Sequence, residues 1–320
     1  MYQSKKFFNL LIKSILSPKK FFQILYKRIF AIPELNSLSK IKNEYIRKKY
    51  FHFLINLSKK NLQFKKLFFE DKKNIKYDIF FNLNDGWDQD FINSLSNNGI
   101  VVIDNVLPDN EKKKIQSYFL ELEEADNKKK TFNKKWLIKP IITNTPTKKR
   151  IVSKTDFTEF PNLQELNDFF SRQLFGQKLD SEPEFYVDKS LSIPEEIISG
   201  DNTIHIDRYL PNVKMIYSPF FIDNSSAPFS YVLGSHKINE TYKEMILNNK
   251  FKDLDNLTFL DKKNNQKVFT LNENSLIIFL ANGFHGRTPF FDLSKRMVLF
   301  LQYSKAFNLL SYFNYRKFNN

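Results

Sequence analysis

The second half of this 320-residue chain consists of short β-like segments that are separated by turns. The segments are rich in β-branched and aromatic residues, which suit the pleated surface of a sheet. Several short strands at modest spacing favour a sandwich or a barrel, and one predicted helix, about Asn239 to Asn249, interrupts the series. The segments are Phe185–Ile193, Thr203–Tyr209, Val213–Ile222, Phe229–Leu233, Ser275–Leu280 and Arg296–Tyr303.

Two further elements are predicted before this series. The run from Gly99 to Pro108 is dominated by β-branched residues and is typical of a buried strand. The stretch from Asn110 to Glu124 predicts an amphipathic helix with Asn110 as its N-cap. Residues Lys128 to Thr158 show no clear periodicity, which predicts a loop. We therefore expect residues 78–320 to form a mostly-β domain with helices before and beside its strands.

The first 77 residues differ from the rest in charge and in pattern. Residues 1–75 carry 18 basic and 4 acidic side chains, a net charge of +14, whereas residues 76–320 carry 32 basic and 31 acidic ones. Phe, Leu and Ile recur at helical spacing between the lysines, which predicts basic amphipathic helices. The sequence is thus divided into a helical extension, residues 1–77, and a main domain, residues 78–320.

This charge distribution bears on the classes of partner. Basic amphipathic helices are able to lie on an anionic membrane surface, but such helices more often pack their apolar face on their own protein. Peripheral membrane contact through residues 1–75 is therefore an alternative that is not favoured. Nucleic acid is disfavoured because a nucleic-acid-binding domain would spread its basic footprint over the main body, which is balanced here.

The chain contains no cysteine, which excludes disulfides and thiolate metal ligands and fits a cytoplasmic location. No run approaches the roughly 20 apolar residues that are needed to span a bilayer. We therefore expect a soluble protein.

Three residues form a candidate metal site. His205 and Asp207 lie two apart in a predicted strand, so that their side chains point to the same face. His285 follows the strand Ser275–Leu280 and comes just after Gly283. Two imidazoles and one carboxylate form the facial triad that leaves open positions on Fe(II). The His-x-Asp pair alone is a weak signal, because a lone strand histidine is more often an ordinary packing residue.

Arg296, eleven residues after His285, strengthens this hypothesis. It shares one strand face with Val298 and Phe300, so a barrel interior on that face would bury its guanidinium. A buried charge needs an anion beside it, and the planar guanidinium suits a dicarboxylate. The alternative is that Arg296 opens its strand at the surface, as the adjacent Lys295 suggests.

The types of these residues and their order along the chain resemble those of the phytanoyl-CoA dioxygenase family. His205-x-Asp207, His285 and Arg296 look like its iron ligands and its 2-oxoglutarate anchor. The stretch Ala-Pro-Phe-Ser-Tyr-Val-Leu-Gly-Ser-His-Lys at residues 227–237 is similar to a family motif, with Ala227 and Leu233 as departures. The run from residue 99 to 108 also resembles the family's opening strand, and the resemblance covers about residues 85–305.

The resemblance implies a jelly-roll domain, the double-stranded β-helix of the cupins, that binds Fe(II) through His205, Asp207 and His285. It implies 2-oxoglutarate held by Arg296, with ascorbate as a reductant in vitro. The expected reaction consumes O₂ and 2-oxoglutarate, releases succinate and CO₂, and hydroxylates an unactivated C–H bond of a small-molecule substrate. The family's histidine in the Gly-Ser-His-Lys turn, here His236, is not a ligand.

Two more residues are candidate 2-oxoglutarate contacts. Tyr217 lies on the strand after His205-x-Asp207, and Thr288 lies in the loop after His285. Each residue has an alternative role without a ligand. An aromatic residue in a strand is usually a core residue, and Thr288 is equally expected to be a loop residue that binds nothing. Lys214 is predicted to lie on the opposite face of the strand from Tyr217.

Three other functions compete with the dioxygenase. A non-catalytic jelly-roll protein would dock on a membrane surface or a partner through its basic N-terminal helices. A cupin-like metal enzyme without 2-oxoglutarate would leave Arg296 without a role. Nucleic-acid demethylases carry a second arginine six residues after the anchoring one, where this chain has Gln302. Binding of iron and 2-oxoglutarate separates the dioxygenase from the first two alternatives, whereas Gln302 and the balanced charge of residues 76–320 disfavour the third.

Overall fold

The architecture is taken from a computed structural model of the full chain. The structure describes residues 43–59, 62–70, 77–85, 90–128, 141–144, 148–155, 157–176, 178, 182–191, 204–207, 209, 211–248, 265–290 and 293–302. The helices predicted between residues 1 and 42 lie outside these residues and stay a prediction. The boundary predicted between residues 77 and 78 also stays a prediction.

The described part of the N-terminal segment is helical and packs on the main body. Helix α1 spans Glu44–Ser58, and the short α2, Leu62–Phe64, runs into a π-helical turn over Lys65–Phe69. Their apolar side chains belong to the large core, among them Phe51, Leu54, Ile55, Phe64, Leu67 and Phe68. His52, by contrast, is exposed on α1 and is not a packing residue. Among the described helices, none has the length and apolar character required to cross a bilayer.

Eleven described strands form two sheets. The larger sheet has the order β1-β2-β9-β6-β11-β5-β4-β3, and its pairs are antiparallel except β1–β2. The smaller sheet has the order β10-β7-β8 and is antiparallel. The strands are β1 Phe80–Asn82, β2 Ile100–Asp104, β3 Ile141–Asn144, β4 Lys148–Lys154, β5 Glu182–Ser190, β6 Val213–Ser218, β7 Phe229–Val232, β8 Gln266–Phe269, β9 Ser275–Leu280, β10 His285–Arg287 and β11 Lys295–Gln302.

Four further helices accompany the sheets: α3 Asp90–Asn98, α4 Asp109–Lys128, α5 Pro161–Phe175 and α6 Glu240–Asn248. The large sheet has two buried faces, as β9 shows. Leu276, Ile278 and Leu280 of β9 join the core that also holds the apolar residues of these helices. Ile277 and Phe279, which alternate with them, join a second core.

The second core lies between the two sheets. It joins Ile100, Ile277 and Val298 of the large sheet to Phe229 of the small one. The rings of Phe229 and Phe279 have centroids 4.7 Å apart, which is direct contact across the two sheets. The mixed α and β architecture with a large, mostly antiparallel sheet is consistent with the predicted jelly roll.

Two predictions of local structure differ from the observed fold. The loop predicted from Lys128 to Thr158 contains β3 and β4, and helix α5 was not predicted at all. On β4 the alternation is hidden because Lys148, Arg150 and Lys154 occupy one face, where a strand over an apolar core would carry hydrophobic residues. Arg150 of that face lines the cleft described below.

His236 is fully buried in the turn after β7, and it is a packing residue, not a ligand of the candidate metal site. Its Nε2 atom lies 2.9 Å from the Ser96 carbonyl oxygen, and Phe68 meets its ring edge-on. Burial, assisted by the charge of Lys237, lowers the pKa of His236 from 6.5 to about 3. The imidazole is therefore neutral in the folded protein and Nε2–H donates to Ser96.

The buried His236 is expected to make the unfolding free energy of the protein sensitive to acid at pH values above those at which its carboxylates are protonated. Between the folded pKa of about 3 and the unfolded value of 6.5, the unfolded chain binds the extra proton, so stability falls as pH falls. From pH 7 to pH 5 the expected loss is about 2 kcal/mol of unfolding free energy. Urea unfolding at both pH values measures it. His236→Gln should abolish most of this slope, and a variant that kept the slope would contradict the assignment.

Candidate metal centre

The register of the backbone brings the three predicted metal ligands together. His205 pairs directly with His285, and each backbone N–H donates to the carbonyl of the other at 2.8 Å. Directly opposed residues of an antiparallel pair place their side chains on the same face. The Asp207 N–H donates to the Ala281 carbonyl at 3.0 Å, which fixes the carboxylate on that face. The possible ligand atoms of these three residues all lie within 4.8 Å of one another.

His285 is oriented so that its Nε2 atom faces the other ligands. Its Nδ1 atom lies 2.8 Å from the Gly283 carbonyl oxygen, an acceptor, so Nδ1 must carry a proton. In a neutral imidazole, Nε2 then presents a lone pair to Asp207 Oδ2 at 3.0 Å. A proton or a metal ion must lie between two such acceptors. Ligand atoms about 2.1 Å from a metal and at a right angle to each other are about 3 Å apart, which matches this spacing.

The carboxylate of Asp207 is ionised. Burial raises its pKa, but the charge and hydrogen bond that His285 supplies when the shared proton lies on its Nε2, the hydrogen bond from His205 and the charge of Lys214 together hold that pKa well below its ordinary value. The Lys214 Nζ atom lies 2.5 Å from Asp207 Oδ2, and His205 Nε2 lies 3.5 Å from Asp207 Oδ1. The group is thus a charged ligand set with one ammonium beside it.

The turn after β7 supports the loop that carries His285. Ser235 Oγ accepts the Phe284 N–H at 2.8 Å and donates to the Val232 carbonyl at 2.6 Å. The side-chain amide of Asn282 donates to the His236 carbonyl at 2.6 Å. The Gly-Ser-His stretch of residues 234–236 therefore holds residues 282–284, and through them the position of the ligand.

Gly283 is expected to tolerate no side chain. A Cβ atom there would lie 2.0 Å from Tyr231 Oη and 2.6 Å from its Cζ, and Tyr231 is fully buried with its hydroxyl bonded to the Leu280 carbonyl. Gly283→Ala should therefore lower the unfolding free energy by about 1–3 kcal/mol and displace His285, weakening metal binding.

Thermal unfolding with and without a divalent metal ion measures both effects of Gly283→Ala. Tyr231→Phe in the same chain removes the closer of the two clashes and should recover part of the loss. If the single variant Gly283→Ala had the stability of the wild type, the loop would not lie as close to Tyr231 as described here.

The triad opens on a cleft of about 170 Å³ between the two sheets. Aromatic side chains form part of its wall, namely Tyr186, Phe229, Phe279 and Phe300. Four cationic side chains also line it, namely Arg150, Lys214, Arg287 and Arg296. The ring of His285 contacts Phe279 and stacks on Phe229, at centroid distances of 5.0 and 5.7 Å. One side of the metal site is therefore apolar, and another is strongly basic.

A buried carboxylate organises two of the arginines. Asp188 is fully buried on β5, between Arg150 of β4 and Arg296 of β11, which both face it in the strand register. It accepts from Arg296 Nη2 at 2.9 Å, and from Arg150 Nε at 2.6 Å and Nη2 at 3.2 Å. Burial raises the pKa of Asp188, but Arg296 and Arg150 lower it to about 2.

Arg296 lies inside the cleft, as predicted, and not at the surface. It is 8% exposed, and its Nη1 donates to the Ala227 carbonyl at 3.2 Å. Its Nε is buried without a hydrogen-bond partner in the described part of the chain. Burial lowers the pKa of Arg296, Asp188 raises it, and the nearby charge of Arg287 lowers it. The anion predicted beside this guanidinium is present, but it is the protein's own Asp188.

The predicted contact of Tyr217 with 2-oxoglutarate is wrong. Tyr217 points to the helix side of the large sheet, where it is fully buried and its hydroxyl donates to Asn274 Oδ1 at 3.1 Å. The residues of β6 that line the cleft are Lys214 and Ile216. Both faces of β6 are buried, so alternation alone did not indicate which face carries the site.

Thr288 does not line the cleft, and its role stays a prediction. Its N–H donates to the Pro228 carbonyl at 3.0 Å, and its hydroxyl is buried without a hydrogen-bond partner among the described residues. Asp188 and Arg287 were not proposed as site residues from the sequence, and Lys214 was ranked below Tyr217 as a cosubstrate contact. For Arg287 a signal existed, because it lies two residues after His285 and therefore shares its face on β10.

No protein-family model and no curated protein sequence matches the chain, so membership of the phytanoyl-CoA dioxygenase family is not confirmed. Solved structures do match. HygX from Streptomyces hygroscopicus, solved with nickel, 2-oxoglutarate and hygromycin B, is 16% identical with a TM-score of 0.42, over 68% of this chain and 86% of that one. The carbocyclase SnoK from nogalamycin biosynthesis, described as non-heme and α-ketoglutarate-dependent, is 14% identical with a TM-score of 0.44, over 68% and 84%.

A third match is EctD from S. alaskensis, solved with bound Fe. It is 12% identical with a TM-score of 0.40, over 65% of this chain and 73% of that one. The similarity is too low for the activities or the ligands of these proteins to be assigned to this chain. The residues of the chain itself form a His-Asp-His group that could hold a metal ion in a basic and aromatic cleft.

Proposed function

We propose that this protein is an Fe(II)- and 2-oxoglutarate-dependent dioxygenase, built on a double-stranded β-helix, that hydroxylates an unactivated C–H bond of a small organic molecule. The observation that carries the proposal is the convergence of His205, Asp207 and His285 in the cleft that Arg296 also lines. Three ligands of this type leave positions open on a metal ion for O₂ and a chelating cosubstrate.

The donor set fits Fe(II). Two imidazole nitrogens and one carboxylate oxygen are the donors of non-heme iron oxygenases, and the group contains no thiolate that would favour zinc or a cluster. The 3.0 Å approach of His285 Nε2 to Asp207 Oδ2 suits two ligands of one ion. The Gly283 carbonyl fixes the imidazole tautomer, a role that partners of ligating histidines commonly have.

The cleft also fits a dicarboxylate. The Arg296 guanidinium lies in the cleft with its Nε still without a partner in the described chain, and planar guanidinium groups bind carboxylates in a fixed geometry. Arg287 and Lys214 add positive charge to the same cleft. Asp188 holds the Arg296 side chain in place, so little side-chain entropy would be lost when a carboxylate binds.

The protein's own residues have separate tasks in such a reaction. Bound iron supplies the redox chemistry for oxygen activation. Asp207 and the two histidines orient the ion, while Phe229 and Phe279 form an apolar wall that excludes water from one side. Lys214 balances the charge of Asp207, and Arg296 orients the cosubstrate.

The alternative of a non-catalytic protein that docks through basic helices rests mainly on residues 1–42, which lie outside the described residues. The described helix α1 instead packs Phe51, Leu54 and Ile55 into the core. We therefore do not favour this alternative, nor contact with nucleic acid.

Succinate formation tests the proposal. Purified protein with Fe(II), ascorbate and 2-oxoglutarate under air should form succinate, even if slowly in the absence of a substrate. His205→Ala should abolish the product and Arg296→Ala should lower it at limiting 2-oxoglutarate. Tyr217→Phe, which removes a hydroxyl on the other face of the sheet, should leave the rate within about twofold. Equal rates in wild type and His205→Ala would refute an enzyme with this metal site.

A further inference from the structure

We propose that Lys214 binds the carboxylate of 2-oxoglutarate that lies next to the keto group, while Arg296 binds the distal carboxylate. This inference rests on the proposed function, because it takes a metal ion and 2-oxoglutarate as occupants of the cleft. The observation that carries it is the position of the Lys214 ammonium, which lies in the cleft and against the ligand carboxylate of Asp207.

The register of β6 places Lys214 in the cleft beside the candidate metal site. Lys214 pairs with Phe279 of β9, and directly opposed residues of an antiparallel pair share a face. Both residues line the cleft, as does Ile216 two residues further along β6. Only 13% of the Lys214 side chain is exposed. The ammonium is thus largely buried in a wall that also contains apolar side chains.

Among the residues that the structure describes, the charge of Lys214 is paired with Asp207 alone. The Lys214 Nζ atom lies 2.5 Å from Asp207 Oδ2, the same oxygen that lies 3.0 Å from His285 Nε2. A largely buried ammonium needs an anion beside it, because an unpaired charge is costly away from water. Lys214 and a metal ion held by Asp207 and His285 would therefore share one carboxylate oxygen.

A metal ion at this oxygen changes the surroundings of the ammonium. The two cations repel each other, and one carboxylate does not compensate both in full. The lysine side chain has a flexible stem and three donors, so its Nζ is able to turn from Asp207 while β6 stays in place. The three protein ligands leave positions open on the metal. An anion bound at one of those positions supplies the acceptor that the ammonium then needs.

The two cationic side chains differ in their relation to the metal site. Lys214 contacts a residue of the triad, whereas the printed partners of the Arg296 guanidinium are Asp188 and the Ala227 carbonyl, which lie outside it. A 2-oxo acid chelates a metal ion through its keto oxygen and the adjacent carboxylate, so that carboxylate lies at the metal. Lys214 is therefore assigned to the carboxylate at the metal and Arg296 to the distal one.

An analogue of the cosubstrate separates its two ends. 2-Oxopentanoate keeps the keto group and the adjacent carboxylate of 2-oxoglutarate but has a methyl group in place of the distal carboxylate. Each compound is titrated anaerobically into Fe(II)-loaded protein and followed by the visible absorption band of the chelate. Lys214→Met should weaken both compounds by the same factor, about tenfold or more, because the lost charge-assisted hydrogen bond is at the end that they share. Arg296→Ala should weaken 2-oxoglutarate alone.

The affinity for the metal ion alone gives a second readout. In the absence of 2-oxoglutarate, Lys214→Met should bind Mn(II) as tightly as wild type or more tightly, because a repelling charge beside Asp207 has been removed. A residue that only supported the fold would instead weaken metal and cosubstrate together. Thermal unfolding over a series of Mn(II) concentrations measures this affinity and shows that each variant is folded.

Lys189→Met is the matched control. Lys189 also lies in the large sheet with little of its side chain exposed, 20%, and pairs with a carboxylate, Glu123 of α4, at 2.8 Å. It alternates with Asp188 on β5 and so points away from the cleft. This variant should leave both affinities within about threefold of wild type. Lys214→Arg should recover part of the loss, and Lys214→Gln repeats the comparison if Lys214→Met does not fold.

The outcomes separate this inference from the proposed function. If wild type forms the band and Lys214→Met binds both compounds as wild type does, or loses affinity for metal and cosubstrate together, only the role of Lys214 is refuted. A loss confined to 2-oxoglutarate would place Lys214 at the distal carboxylate and also refute it. If the band never forms in wild type, the proposed function fails, and this inference with it.

Discussion

Replacing His205 by alanine is expected to lower the affinity for a divalent metal ion by about a hundredfold or more. His205 is one of three ligands, and losing a residue that merely orients a ligand already lowers affinity 10–100-fold. The side chain is 20% exposed, so its removal leaves only a small packing defect. The stability of the metal-free variant should therefore stay close to that of wild type.

Metal-dependent thermal unfolding measures this effect. An ion at a hundred times its dissociation constant stabilises the folded protein by about 2.7 kcal/mol, and the variant should lose nearly all of that gain at the same concentration. His52→Ala is the matched control, since it removes an exposed imidazole from α1. If both variants kept the metal-induced shift, the ion would bind elsewhere and the triad would be an ordinary cluster of side chains.

Asp188→Asn is expected to lower the unfolding free energy by about 3–5 kcal/mol. The carboxylate is fully buried and accepts from both Arg150 and Arg296, so its neutralisation leaves the buried guanidinium of Arg296 without its carboxylate partner. Because its folded pKa is about 2 and its ordinary value 3.8, the wild-type contribution is present above pH 4 and is lost as pH falls toward 2.

Denaturant unfolding of the variant tests this network. Glu44→Gln, which removes an exposed i,i+4 ion pair with Lys48 on α1, should change stability by less than about 0.5 kcal/mol. Added 2-oxoglutarate should stabilise Asp188→Asn more than wild type, because it would supply the missing negative charge. A loss below about 1 kcal/mol would show that the two arginines are compensated in another way.

The candidate metal site was predictable because its geometry is encoded locally. Two residues at i and i+2 of a strand share a face, so His205 and Asp207 were expected to converge. His285 follows a strand that is buried throughout, Ser275–Leu280, and that strand lies in the interior of the large sheet. The burial of Arg296 followed from the same alternation.

The cluster of Arg150, Asp188 and Arg296 was not predictable, because its geometry depends on residues that are far apart in the sequence. Arginine and aspartate in a strand look like surface residues, and only the register of three strands shows that Arg150, Asp188 and Arg296 face one another. Functional sites are where local patterns conflict with the fold, as on β4. Tyr217 was placed on the wrong face because β6 is buried on both.

Helix α5 was not predicted because the side chain that satisfies the N–H groups at its start comes from a distant part of the sequence. Its N-cap residue, Phe160, makes no side-chain hydrogen bond. Glu111, a buried residue of α4, accepts the backbone N–H groups of Asn162 and Leu163 at 3.1 and 2.7 Å instead. A carboxylate 51 residues away in sequence thus satisfies donors that a local cap normally satisfies.

Anaerobic titration of the protein with Fe(II) and 2-oxoglutarate tests the central claim most directly. The account predicts the visible absorption band of an iron–2-oxoglutarate chelate, saturating at one equivalent of iron, absent in His205→Ala, and requiring more 2-oxoglutarate in Arg296→Ala. Zinc in place of iron should give no band. A wild-type protein that binds iron at this site but never develops the band with 2-oxoglutarate would contradict the account.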